Sequence, residues 1–155
     1  MLISGSGTNL QALIDAPDIE IACVVSSRAD AGGLARADTA GLPALVSADE
    51  AETLEFLDRH GAGVVVLAGY MRILSPDFVR RYSGRILNVH PSLLPSFPGL
   101  EAQRQALEHG VRVSGATVHF VPAESAELAV RVLTDAGETA WVAGELVEGD
   151  GVVLH

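Results

Sequence analysis

Gly63-Val64-Val65-Val66-Leu67-Ala68 is an apolar run set between Gly63 and Gly69. It has the length of a strand rather than a helix, and its lack of polar alternation predicts a strand covered on both faces, as in parallel sheets. Working back from it, residues 49–60 carry Leu54 and Leu57 on one helical side and stop at Gly61. Pro43-Ala44-Leu45-Val46 is a short strand, and 34–40 is a helix closed by Gly41. The run 19–26 is a second continuously apolar strand. Met1-Leu2-Ile3 is another, leading into Ser4-Gly5-Ser6-Gly7-Thr8-Asn9. Leu10, Leu13 and Ile14 then fall at helical spacing, with Thr8 or Asn9 able to cap that helix. Working forward, 69–74 is a turn, and Ser75-Pro76-Asp77 opens a helix, with serine as cap and proline in the first position, that ends near Tyr82. A strand follows from Ile86, a helix over 100–109, and a strand over 114–121 with Thr117 and His119 on one face. Helices over 124–133 and 138–143 and a small hairpin pairing 145–147 with 151–154 complete the chain. Strand and helix alternate throughout. That predicts an α/β fold with a doubly wound, mostly parallel sheet, in one domain over residues 1–155.

Composition narrows the function. With 48% hydrophobic and 19% charged residues the chain can bury a core and is not of the disordered class. Ten basic residues against twenty acidic ones give a net charge of -10, which argues against nucleic acid or an anionic membrane as partner. Any phosphate must be held by local geometry rather than by the overall field. Cys23 is the single cysteine; it can form no intramolecular disulfide and reads as a small core residue. No apolar run approaches the ~20 residues of a membrane span, and no basic-then-apolar leader opens the sequence, so a cytoplasmic protein is expected.

Two stretches carry candidate chemistry. In Asn88-Val89-His90-Pro91-Ser92-Leu93-Leu94-Pro95 the Asn and His are two residues apart on a strand and so face the same way. An amide and an imidazole side by side are donors suited to a developing negative oxygen, and Pro91, Pro95 and Pro98 stiffen the loop beyond them. An Asn-x-His at an ordinary polar strand end would look the same. In the first stretch, the glycines of Gly5-Ser6-Gly7-Thr8-Asn9 let backbone N–H groups approach an anion, although glycine turns between strand and helix are common. The pattern is not a Walker loop, and Leu10 stands where a dinucleotide fingerprint wants its third glycine, so a monophosphate fits better than a triphosphate or NAD.

The run from Asn88 to Pro95, with Gly5-Ser6-Gly7-Thr8-Asn9-Leu10-Gln11 and Ala68-Gly69-Tyr70-Met71-Arg72-Ile73-Leu74, resembles the formyltransferase family that uses 10-formyltetrahydrofolate. The likeness is continuous from Leu2 to about Val121 and is strongest to the branch that formylates phosphoribosylglycinamide in purine synthesis. It implies a Rossmann-like variant of the α/β fold and a formyl transfer to the amino group of that substrate. Asn88 and His90 would be catalytic, supported by Thr117 and His119. Gly7, Thr8 and Asn9 would bind the substrate phosphate, and Met71, Arg72, Ile73 and Leu74, together with Asn88, the folate. The resemblance implies 10-formyltetrahydrofolate as co-substrate, no metal, and small-molecule partners only; a homodimer is left open. The alternatives are a catalytically impaired relative that binds folate or a phosphorylated ligand, and another folate formyl transferase or hydrolase.

One family feature is not found. The family has an aspartate shortly after the strand holding His119, whereas here no Asp lies between His119 and Asp135, and Glu124 does not take its place by pattern. Met1-Leu2-Ile3 is short for a central strand, and Val46 runs almost directly into the next helix. These junctions predict that flexible segments are missing from the sequence near 46–50, 121–125 and 134–140.

Overall fold

The computed structural model describes residues 1–121 of the 155. Glu124, the elements expected over 124–154 and the junction at 134–140 lie outside the described residues. The described residues gather into two compact units, one Met1–Leu74 and the other beginning at Ser75.

The first unit runs β1 (Leu2–Ile3), α1 (Thr8–Ile14), β2 (Val24–Ser26), α2 (Gly33–Thr39), β3 (Ala44–Val46), α3 (Glu50–Arg59) and β4 (Val65–Ala68). Its strands are parallel and stand in the order β3-β2-β1-β4, with Val25 opposite both Leu2 and Leu45, and Leu2 opposite Leu67. Ile3, Leu10, Val24, Ala37 and Ala68 pack into one buried cluster, so α1 and α2 are held by the apolar stripe each turns inward. β1 is flanked by β2 and β4, and the loops after β1 and β4 leave neighbouring strand ends where the order reverses. In open α/β sheets this is where ligands bind.

The second unit runs α4 (Pro76–Arg81), β5 (Ile86–His90), α5 (Ala102–Glu108) and β6 (Thr117–Phe120), with β5 and β6 antiparallel. The α/β class and the predominance of parallel pairing agree with the sequence reading.

Local signals place two of the helix starts. Ser75 accepts from Phe78 N–H with Pro76 next to it, and Asp49 accepts from Glu52 N–H at 2.8 Å. The short 46–50 junction is closed by Ser47, whose N–H reaches Ser26 O and whose hydroxyl accepts from Asp49 N–H. Two details depart from expectation. Helix α1 is capped by Gly7 at φ 74, not by a side chain of Thr8 or Asn9. The run 19–26 is a strand only at Val24–Ser26, because its neighbours β1 and β3 offer pairing partners for no more. Cys23 is buried and free. Among the described residues no helix is long and apolar enough to cross a membrane.

Candidate active site

β5 alternates as its sequence dictates: Ile86, Asn88 and His90 are buried while Leu87 and Val89 are half-exposed. Asn88 and His90 thus face one side, 6% and 0% exposed. The antiparallel register sets Asn88 opposite His119 and His90 opposite Thr117, so four polar side chains form two cross-strand pairs.

In the first pair, Asn88 Nδ2 donates to His119 Nε2 at 3.1 Å, and His119 Nδ1–H donates to Phe120 O at 3.0 Å. One ring nitrogen must therefore be an acceptor and the other a donor, which is the neutral Nδ1–H tautomer. The environment enforces the same state. Burial pushes the His119 imidazole down to about 4, and a positive charge on His90 would push the same way. A neutral His119 holds the Asn88 amide with its NH2 group toward β6, and one of the two hydrogens remains for the site.

In the second pair, His90 Nε2–H donates to Phe97 O at 3.0 Å. Ser92 Oγ donates to Ser96 O at 2.6 Å and to Phe97 O at 3.2 Å. Thr117 Oγ1 donates to Ser92 O at 2.8 Å and accepts from Leu94 N–H at 3.0 Å. The proline-rich loop is thus stitched to β6 at one end and to the His90 ring at the other, with a cis peptide between Leu94 and Pro95 and Phe97 at φ 55. Thr117 acts on the loop, and His119 meets Asn88 rather than His90.

In the first unit, Gly5, Ser6, Thr8 and Asn9 are exposed and Gly7 is half-buried, so the loop after β1 is open to a ligand. The turn after β4 exposes Met71, Arg72 and Ile73 and half-buries Leu74. Ser4 connects the two segments: its hydroxyl accepts from Met71 N–H at 2.9 Å and shares a hydrogen bond of 2.6 Å with Ser27 Oγ. Sequence reading missed Ser4, Ser92 and the Asn88–His119 contact. A serine at the end of β1 was the only local signal for the first, and nothing short of the strand register gives the last.

Residues 1–127 match the formyl transferase family. The phosphoribosylglycinamide formyltransferase of Escherichia coli is 49% identical over 138 residues, covering 80% of this chain and 65% of that protein. The human trifunctional purine biosynthetic protein adenosine-3 is 42% identical over 167 residues, covering 96% of this chain and 16% of that protein. The crystal structure of phosphoribosylglycinamide formyltransferase from Anaplasma phagocytophilum superposes with a TM-score of 0.74 at 44% identity, over 79% of this chain and 63% of that one. The chain therefore spans 65% of the length of the Escherichia coli protein.

Proposed function

This chain belongs to the formyl transferase family, and on that footing we propose that it moves a formyl group from 10-formyltetrahydrofolate to the amino group of phosphoribosylglycinamide in cytoplasmic purine synthesis. The amine attacks the formyl carbon and makes a tetrahedral intermediate with an oxyanion and a positively charged nitrogen. Collapse breaks the bond to N10 of the folate, which takes up a proton as the new amide nitrogen loses one.

The observation that carries this reading is the oriented amide of Asn88. His119 Nε2 accepts from one of the amide's N–H groups, which fixes the plane of the amide and the direction of the other N–H before any substrate arrives. A donor fixed in advance stabilises the developing oxyanion without reorganisation, and removing one typically costs on the order of a hundredfold to a thousandfold in rate. His90, next along the same face, supplies the second interaction with that charge or carries the proton. Gly7, Thr8 and Asn9 receive the substrate phosphate, and Met71, Arg72, Ile73 and Leu74 contact the folate, as the family resemblance also implies for Asn88. The two small molecules are the only partners this chemistry requires.

One specific feature favours a second reading. The sequence has no Asp between His119 and Asp135, so the proton-handling aspartate of the family is not at hand, and a relative that binds both substrates but turns over poorly is the alternative. Purified full-length protein with both substrates, followed by the absorbance of the folate product, separates the two. Turnover that collapses in His90→Ala supports the enzyme. Binding of both substrates without turnover selects the impaired relative, and no binding of either refutes both.

A further inference from the structure

We infer that Arg36, half-buried on α2, is a positioning residue for the phosphate-binding loop; the inference rests on reading Gly7, Thr8 and Asn9 as that loop. The Arg36 side chain crosses from α2 to the loop. Its Nε–H donates to Ser6 O at 2.9 Å and its Nη1–H donates to Gln11 Oε1 at 3.0 Å, while Gln11 Nε2 donates to Asp15 at 2.9 Å. One planar guanidinium thus holds the loop and the first turns of α1 in a fixed fork.

The bond to Ser6 has a directional consequence. Gly5 O also points at α2, accepting from Gly33 N–H at 3.1 Å. In a trans peptide the C=O and the N–H of the same plane point in opposite directions. Turning the carbonyls of Gly5 and Ser6 onto α2 therefore turns the amide N–H groups of Ser6 and Gly7 away from it. Successive N–H groups presented together are the arrangement that receives an anion. Close approach supports the same clasp: a Cβ on Gly7 would lie 2.5 Å from Gly33 Cα and 3.3 Å from Arg36 Cδ, so the loop rests directly on α2. Without Arg36 the Ser6 peptide is free to rotate, and the Gly7 N–H loses its direction although nothing that touches the phosphate has been removed. An open cleft of about 520 Å³ lined by Ser6, Gln11, Gly32, Ala35, Arg36 and Thr39 lies beside the clasp. Truncating Arg36 therefore leaves solvent rather than a buried void.

The test compares full-length wild type, R36A and R36K. In R36A the KM for phosphoribosylglycinamide and the Kd for inorganic phosphate, read by phosphorus NMR, are each expected to rise about tenfold, the size of one lost charge-assisted hydrogen bond. The KM for 10-formyltetrahydrofolate and kcat at saturation should stay near their wild-type values. R36K should recover only part of the loss, since an ammonium cannot hold Ser6 O and Gln11 Oε1 in one plane, and added guanidinium should restore R36A through the cleft. Unchanged phosphate affinity in R36A overturns the assignment. So does an equal rise in both KM values with a lowered melting temperature, the mark of general loosening, and so does a wild type that binds no phosphate. A wild type that binds phosphate but does not turn over refutes formyl transfer and leaves Arg36 to be decided by the phosphate titrations.

Discussion

Asn88→Asp is the substitution that asks most of the site. It keeps the shape of the side chain but places a carboxylate oxygen where Nδ2 now donates to the lone pair of His119 Nε2, 3.1 Å away. Two acceptors cannot share that contact unless a proton enters between them. At an effective dielectric of about 20, a carboxylate and an imidazolium at this separation attract by roughly 5 kcal/mol, equivalent to about four pKa units. Burial has lowered His119 from 6.5 to about 4, a smaller amount, so the new charge wins and the pair takes up a proton near neutral pH. Nitrogen-detected NMR of the histidine rings is the assay. In the wild type at pH 7 His119 should show a single N–H at Nδ1, whereas in N88D a proton should sit at Nε2 as well. N88L, which removes the donor without adding charge, should leave the ring neutral. Formyl transfer by N88D should fall by on the order of a hundredfold or more, since the neutral donor is lost and a like charge faces the oxyanion. A His119 ring in N88D that stays neutral at pH 7 and still titrates near 4 would refute the pairing on which the site is built.

Two further outcomes follow from the same geometry. Because His119 is neutral in the fold and binds its proton less readily there than in the unfolded chain, its contribution to stability is complete above pH 6.5 and is lost as pH falls from 6.5 toward 4, by about 2 kcal/mol after allowance for solvent screening. Urea unfolding of wild type and His119→Phe across that range should show the wild type losing the extra stability, and parallel pH curves would count against it. Gly7→Ala combines a φ of 74 with a Cβ only 2.5 Å from the Gly33 backbone, so it should cost roughly 2–4 kcal/mol, against about 1 kcal/mol for Gly61→Ala, where φ is 65 and nothing lies within 4 Å. Equal thermal shifts in the two variants would mean that the loop does not rest on α2.

How much of this was legible beforehand depended on whether the signal was local. A helix start can announce itself within four residues: Ser75 before Pro76 caps α4 as the sequence implies, whereas Asp49, read as the first residue of its helix, is the cap of α3. The side-by-side placement of Asn88 and His90 also needs only the period of a strand, and β5 has it. Apolar character misled where pairing decides instead. Ile19 is 48% exposed and Val64 51% exposed, although both sit in runs that read as buried strand, because β2 begins only at Val24 and β4 at Val65, which leaves both residues outside a strand. Thr8 and Asn9 are good capping residues by type, yet the left-handed turn at Gly7 starts the helix one residue earlier and leaves both side chains exposed.

The contacts that give the site its chemistry are of the other kind. Asn88 and His119 are 31 residues apart, and they meet only because β6 runs antiparallel to β5 in one particular register. A slip of one residue would turn His119 to the opposite face, leaving the Asn88 amide without its acceptor and free to present either end to a substrate. The register is itself held by Thr117, whose hydroxyl binds Ser92 O and Leu94 N–H and so ties β6 to the loop that leaves β5. The sequence places Thr117 and His119 on one face of a strand and cannot say what that face meets. In the fold, the threonine fixes where β6 lies, that position brings His119 to Asn88, and the histidine's burial keeps it neutral, so the amide points one way.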